Sequence, residues 1–312
     1  IESQKSSNKK ESTVSPKTRQ YLPYLSLICA TILWSSSFVA LKVAFRAYDP
    51  MVVIFGRLLV ASTFILIFLK PLRNLQYNKG DWKALAFMGL CEPCLYFLFE
   101  AKALEYTSAS QAGMITGTLP LIVGVVAWLV LKETISLQTI LGFLLAIAGI
   151  VMLSGGSEVT ENAPDPLLGN FLEFMAMVMA TGYIIALKKL SDRYSSLFLT
   201  SFQAFVGTVF YFPILFLTST ELPVELNPVS TFTVLYLGVF VTFGAYGSYN
   251  YGVSKIPASQ ATAFINLIPV FSLILGVLIL DDHLTLIQYG AVALVFAGIY
   301  LSQHKRRTTT PA

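Results

Sequence analysis

Ten stretches of about 20 almost wholly apolar residues run through this 312-residue chain and leave little of it for anything else. To within a few residues they cover 21–44, 51–69, 82–103, 109–131, 135–154, 167–188, 197–218, 231–252, 258–280 and 284–303. A bilayer core of about 30 Å is crossed by about 20 residues of helix, and in lipid only helices and closed barrels satisfy every backbone amide. Alternating ten-residue strands are absent, which argues against a barrel. The fold class expected is therefore all-α integral membrane, with ten transmembrane helices. Composition agrees: with 55% hydrophobic and 12% charged residues, a soluble domain of this length could not cover itself with polar surface. Breakers separate the segments at Asp49-Pro50, Pro71, Asn78 to Gly80, Gly155-Gly156, Pro164 to Pro166, Pro223, Pro228 and Pro257. The first 20 residues are polar and basic and lack the apolar core of a signal peptide.

The second constraint is a duplication. Residues 109–153 and 258–302 align without a gap at an offset of 149, with 12 of 45 positions identical. The matches include Ala-Ser-Gln-Ala at the start, Pro120 over Pro269, and the Ala-Gly-Ile triplets at 148–150 and 297–299. A shared apolar composition would not place these in one register. An earlier trace appears at offset 146, where Ala40-Leu41-Lys42 recurs as Ala186-Leu187-Lys188. Copies displaced by five helices, an odd number, cross the membrane in opposite directions, so the expectation is two five-helix repeats of inverted topology. Such repeats are a recurrent architecture of secondary transporters, with the binding site near the midplane.

Basic residues set the orientation. With the N-terminus inside, 17 of the 21 Lys and Arg fall on the cytoplasmic side, Lys42, Arg46 and Lys102 fall outside, and Arg57 lies within the second segment. The resulting organisation is a disordered cytoplasmic tail at 1–20, a first repeat at 21–154, an external linker at 155–166, a second repeat at 167–303 and a cytoplasmic tail at 304–312. The net charge of +4 resides in tails and loops and gives no argument for nucleic acid. Cys91 and Cys94 form a Cys-x-x-Cys with no second pair, and only His283 and His304 stand elsewhere, so buried packing is expected rather than metal or redox chemistry.

Trp34-Ser35-Ser36-Ser37-Phe38 followed by Lys42 is similar to a Trp-Gly-x-x-Phe-x-x-x-Lys pattern. It is joined by Arg57 in the second segment, the repeated Ala-Ser-Gln-Ala to Pro pair, and Leu131-Lys132-Glu133 before the fifth segment. In this order the motifs resemble the drug/metabolite transporter superfamily and, within it, the EamA-type ten-helix transporters, over about residues 22–303. Two departures stand out, Ser35 in place of the usual Gly and Asp281-Asp282-His283 in place of a loop Glu. The resemblance implies transport of amino acids, other small metabolites or nucleotide precursors, without choosing among them.

Polar residues at membrane depth are costly and face protein or water, so they are the candidates for a site. Glu92 precedes Pro93, which removes a helix hydrogen bond, and Glu92, Tyr96 and Glu100 are spaced by four, on one helix face. This stripe reads as a cargo or proton site, or as structural acids paired to hydroxyls. Pro120 and Pro269 should kink the fourth and ninth segments and loosen the carbonyls of Thr116 and Ile265. Asn266 just before Pro269, Trp34 and Tyr183 near mid-helix, and Asn250 among Tyr246, Tyr249 and Tyr251 are further substrate-binding candidates. Gln111 and Gln260 read as helix-end hydrogen-bonding groups. Arg57 could pair with Glu173, meet Glu100 or extend outward. Gly142, Gly149, Ala291 and Gly298 read as close-packed scaffold between the fifth and tenth segments.

No Gly-rich phosphate loop, metal-ligand spacing or nucleophile constellation is present, so no enzyme, no catalytic residue, no metal and no cofactor are expected. The function expected is a secondary transporter of the inner or plasma membrane. It would export amino acids or related small metabolites by alternating access through a midplane cavity. A passive facilitator or channel-like pore is one alternative and a nucleotide-linked antiporter another, the latter disfavoured because Arg57 is the sole deep cation. Expected partners are a small-molecule substrate and the lipid bilayer, with a homodimer one possible assembly.

Overall fold

The computed structural model describes residues 16–66, 78–131, 137–155, 159–217, 220–256 and 258–303. Among these the chain is helical throughout, and its nearest approach to sheet is a single bridge between Thr160 and Ala163. Two long helices open it, α1 (Pro16–Phe45) and α2 (Pro50–Leu66). A broken rod follows, made of α3 (Trp82–Gly89), a π-helical segment Leu90–Leu95 and α4 (Tyr96–Tyr106). A second broken rod joins α5 (Ala109–Ile115) to α6 (Leu119–Leu131) through a 3-10 turn at Thr116–Thr118, and α7 (Leu137–Gly155) closes this part. The remainder repeats the order. Helices α8 (Pro166–Leu190) and α9 (Ser196–Leu217) are unbroken; α10 (Pro228–Tyr236) and α11 (Tyr246–Lys255) flank a π segment, Leu237–Ala245. Helices α12 (Ala258–Ile265) and α13 (Ile268–Leu280) meet at a break, and α14 (Leu286–Gln303) ends the described chain.

Among the described residues, seven helical stretches are long and apolar enough to cross a membrane, and Pro50–Leu66, Ile140–Leu153 and Leu286–Gly298 are shorter apolar helices. The chain is a multi-pass membrane protein. Side chains such as Val209, Phe212, Phe216, Leu278 and Leu286 are more than half exposed, as expected of a surface solvated by lipid. Helix α1 begins at Pro16, inside the segment read as a disordered tail, because Pro is tolerated in a first turn whose N–H groups have no helical partner. The remaining tail residues, Pro71, Lys132-Glu133, Pro257 and the Gln260 side chain lie outside the described residues.

Local chemistry fixes the helix ends. Asp165 and Asn227 accept the N–H groups of Leu168 and Ser230, each with Pro at the following position, and Ser108 accepts that of Gln111. Short connections make sequential helices antiparallel, and side-chain ties mark the two ends of the bundle. At one end Arg193 Nη1 and Tyr194 OH donate to Asp81, at 2.5 and 3.1 Å, and Lys188 donates to the Val253 and Ile256 carbonyls. At the other, Tyr48 OH contacts Thr231 Oγ1 at 2.6 Å and the Asn227 carbonyl at 3.2 Å, and Lys42 donates to the Asn162 carbonyl. Between the ends, Ser62 Oγ and Thr208 Oγ1 lie 2.9 Å apart.

The most extensive helix pairing is α7 against α14. A Cβ on Gly298 would stand 2.5 Å from the Gly142 carbonyl oxygen, and one on Gly149 2.9 Å from that of Ala291. The backbones touch there because no side chain separates them.

Candidate functional site

The helix breaks converge. Pro93 cannot donate, and the chain leaves helical geometry at Glu92, with φ −149° and ψ 117°. Carbonyls freed there are taken up by α9: Gln203 Nε2 donates to the Glu92 carbonyl at 3.3 Å and Tyr211 OH to that of Cys94 at 2.6 Å. In the second rod the break at Thr116–Thr118 falls one turn before Pro120, and the break between α12 and α13 falls at Asn266–Leu267, just before Pro269. Both prolines therefore occupy first-turn positions of the helices that follow.

Around these breaks lies a cavity lined by α1, α2, α4, α8 and α11 and by the breaks themselves. About 510 Å³ of non-atom space, partly open to the surroundings, lies among its lining residues, and about 40 Å³ is wide enough for the centre of a water molecule, so the space is narrow in this structure.

Glu92, Tyr96 and Glu100 all line the cavity, though not as a simple stripe. Tyr96 OH donates to Glu100 Oε1 at 3.0 Å within α4, whereas Glu92 sits in the non-helical break and reaches the same space by that departure. The expected spacing of four thus holds for one pair only, because the π segment resets the rotation. Tyr246 OH donates to Glu92 Oε1, and Glu92 Oε2 has no partner.

Trp34 and Tyr183 also line the cavity. The Trp34 ring lies 5.2 Å from that of Tyr246 and 4.9 Å from that of Tyr249, and Tyr183 is 6.3 Å from Tyr246. The Trp34 Nε1 and the Tyr249 hydroxyl are buried without partners.

Asn250 stands one layer behind: it accepts from Tyr183 OH at 2.7 Å and donates to Thr200 Oγ1 at 2.8 Å. It holds the Tyr183 ring instead of facing the cavity. Asn266 is likewise outside the lining, which is supplied on either side by Ile265 and Ile268, and its Oδ1 is buried without a partner.

Of the partners open to Arg57 in the sequence, the structure selects Glu100, with Nη1 to Oε2 at 3.8 Å. The guanidinium also lies 4.4 Å over the Phe97 ring, and Nε donates to Thr242 Oγ1 at 2.9 Å. Glu173 does not pair with it; both its carboxyl oxygens are buried without hydrogen-bond partners. Gln111 accepts from Asn170 Nδ2 at 2.9 Å at the helix end, and Cys91 and Cys94 are buried free thiols.

Sequence reasoning did not single out Tyr246 as the Glu92 partner, Phe97 as the Arg57 platform, or Thr242. The signal available was the cluster of Tyr246, Tyr249 and Tyr251 around Asn250. Among the described residues no three His, Cys, Asp or Glu side chains converge to hold a metal ion.

Comparison with known proteins places this geometry in a family. The uncharacterized transporter YetK of Bacillus subtilis (strain 168) is 26% identical over 293 residues, covering 93% of this chain and 89% of the relative. An uncharacterized transporter of Archaeoglobus fulgidus is 24% identical over 284 residues, covering 91% and 98%. The chloroplastic WAT1-related protein of Arabidopsis thaliana is 26% identical, covering 90% of this chain and 69% of its own length. A solved crystal structure superposes with a TM-score of 0.66 at 18% identity, covering 90% of this chain and 96% of that one, which shows a shared fold. These relatives are consistent with the drug/metabolite transporter superfamily. The model of the EamA-like transporter family matches at residues 22–155 and again at 167–303, so the chain belongs to that family and carries its domain twice.

Proposed function

We propose that the protein is a secondary carrier in which two five-helix repeats of inverted topology, ten spans in all, rock about the Glu92 cavity. The bias of Lys and Arg supports both termini being cytoplasmic and the linker being external, in the cell membrane. The cargo proposed is an amino acid or related small metabolite, moved outward. Trp34, Tyr96, Tyr183, Glu92 and Glu100 form the binding surface, with Asn250 supporting it. Pro93, Pro120 and Pro269 keep the breaks that bound it.

Several contacts support the repeat. Ser62 and Thr208 are 146 residues apart and touch each other, as equivalent groups do where a two-fold axis passes between them. Tyr48 with Asn227 and Tyr194 with Asp81 are the same residue pairing shifted by 146, the first tyrosine donating to a main-chain carbonyl and the second to a carboxylate, each joining one family match to the other. The rod Pro228–Lys255 has 28 residues where Trp82–Tyr106 has 25, and these three extra residues account for the change of offset from 146 to 149. Both rods carry a π segment at the place where the registers diverge.

The observation that carries the reading is a cavity walled by both matched halves, with an unpartnered carboxyl oxygen inside it. A site between two repeats is the arrangement that alternating access uses. The test is counterflow in proteoliposomes, screening labelled amino acids and amines against an unlabelled pool. Accelerated uptake is expected in the wild type and its loss in Glu92→Gln, with the variant still folded. Uptake indifferent to the opposing pool would replace the carrier by a pore.

A further inference from the structure

Which charge the cargo carries can be read from the groups left open in the cavity, given that the cavity is the transport site. Arg57 is charge-paired: Glu100 Oε2 lies 3.8 Å from Nη1 without a hydrogen bond to it, Thr242 takes Nε at 2.9 Å, and Phe97 covers the guanidinium plane at 4.4 Å. Its positive charge is balanced by Glu100, and no other Lys or Arg is among the described residues lining the cavity. The main-chain donors Tyr96 N–H and Leu119 N–H at the breaks are engaged as well, the first with the Cys91 and Pro93 carbonyls and the second with that of Thr116. A carboxylate on the cargo would have to compete with Glu100 for Arg57, and with that charge shared between two acids its burial would be costly.

A cation meets the opposite situation. Glu92 Oε2 is buried and unpartnered, while Tyr246 holds Oε1 and so fixes the carboxyl plane. The Trp34 ring lies 5.2 Å from that of Tyr246 and 4.9 Å from that of Tyr249, presenting aromatic surface in the same cavity as that oxygen. Aromatic faces attract ammonium groups strongly where water is excluded, and a buried carboxylate is stabilised by an opposite charge in contact with it. The Tyr249 hydroxyl and Trp34 N–H remain available to a polar substituent.

We propose that this cavity takes an organic cation, an amine on an apolar, ring-bearing body without a carboxylate, with the ammonium against Glu92 Oε2 and the body among Trp34, Tyr246 and Tyr249. The proposal narrows the cargo of the carrier reading and rests on it for the location of the site.

Phenethylamine, phenylalanine and phenylacetate share one ring and differ in charge, so they separate the cases. Binding to the purified protein is followed by saturable thermal shift, and transport by counterflow of labelled phenethylamine and labelled phenylalanine. The expected result is that phenethylamine binds at least about tenfold more tightly than phenylalanine, a difference equivalent to one unpaired interaction of about 1.4 kcal/mol. Phenylacetate should give no saturable shift. Phenylalanine binding as tightly as phenethylamine, or no binding of the amine at all, overturns the proposal without any need for a variant. Counterflow of phenylalanine with none of phenethylamine would leave the carrier standing and remove the cation. Phenethylamine binding without counterflow would keep the cation site and remove the carrier.

Discussion

Removing the charge on Glu100 tests whether the ion pair across α2 and α4 holds the centre of the molecule together. Arg57 and Glu100 are 1% and 3% exposed, with Nη1 and Oε2 3.8 Å apart. At that separation the attraction with an effective dielectric of 20 is about 4 kcal/mol. Stranding one member of a buried pair costs about 3–5 kcal/mol. Glu100→Gln keeps the side-chain shape and an acceptor for the Tyr96 hydroxyl, so the loss should be electrostatic. Arg57 would retain Phe97, Thr242 and the field of Glu92, which puts the expected cost at the lower end, about 3 kcal/mol. At about 2–4 °C per kcal/mol for chains of comparable size, the unfolding temperature of the purified protein should fall by on the order of 10 °C. Arg57→Met should do the same, whereas Arg57→Met with Glu100→Gln removes both charges and should recover most of the loss. Unfolding followed by intrinsic fluorescence at one fixed scan rate is the assay, because membrane proteins seldom unfold reversibly. If Glu100→Gln unfolds within about 2 °C of the wild type, or if the double variant shows the summed loss of the singles, the pair is not coupled and the reasoning fails.

Two other outcomes follow from the packing. Asp81 lies just outside the span that starts at Trp82. Burial acts to raise its pKa, but hydrogen bonds from Arg193, Tyr194 and Asn78 and the Arg193 charge together hold it below the usual carboxylate value. A depressed pKa gives stabilisation that is complete above the ordinary value and lost as pH falls through the lowered one. Hydrogen exchange of amides 190–196 should therefore be unaffected by the state of this contact between about pH 5 and 8 and rise only in stronger acid; opening between pH 8 and 6 would contradict this assignment. Gly298→Ala places a Cβ 2.5 Å from the Gly142 carbonyl oxygen and 2.8 Å from the Ala146 nitrogen, both backbone atoms that cannot rotate away. The cost should be about 1–3 kcal/mol in thermal stability, against no steric loss for Gly247→Ala, where nothing lies within 4 Å.

Much of the fold was legible because its determinants are local. Segment lengths, proline positions and capping residues each act within a few residues, and the breaks at Thr116–Thr118 and Asn266–Leu267 fall where Pro120 and Pro269 remove or crowd backbone hydrogen bonds. The site was legible as composition but not as geometry. Helical spacing placed Glu92 on a face with Tyr96 and Glu100, yet the π segment at Leu90–Leu95 changes the rotation between them, and no residue pattern announces such a segment. Asn250 and Asn266 were polar enough to be candidates. Whether each faces the cavity depends on helix rotation set by distant packing: Asn250 is turned to Tyr183 and Thr200, and Ile265 and Ile268 take the lining positions beside Asn266. The choice of Glu100 over Glu173 for Arg57 is of the same kind, since it rests on which of two acids α4 and α8 bring within reach.

Under the proposed duplication, the contacts that recur and those that do not divide the work of the molecule. Tyr48 and Tyr194 tie opposite ends, and Lys42 and Lys188, again 146 apart, each donate to main-chain carbonyls. In the carrier proposed, closing either end would thus use similar chemistry, as two end states of similar energy require, since a bias of about 5.5 kcal/mol separates a 1:99 population from a 99:1 one. The added Arg193 to Asp81 pair at one end does little to upset that balance, because Arg193 is 47% exposed and such pairs are weak in water. At the centre the halves differ. Glu92 corresponds to Gly238 or Val241 in the two registers, Arg57 to Gln203, and Glu100 to Tyr249. One half therefore supplies Glu92 and the ion pair, and the other supplies the Tyr246 and Thr242 hydroxyls that meet Glu92 and Arg57. Cargo recognition is placed by this argument in the groups that broke the symmetry, which is why a substitution there should change what is carried, while one at the repeated end contacts should change which side is open.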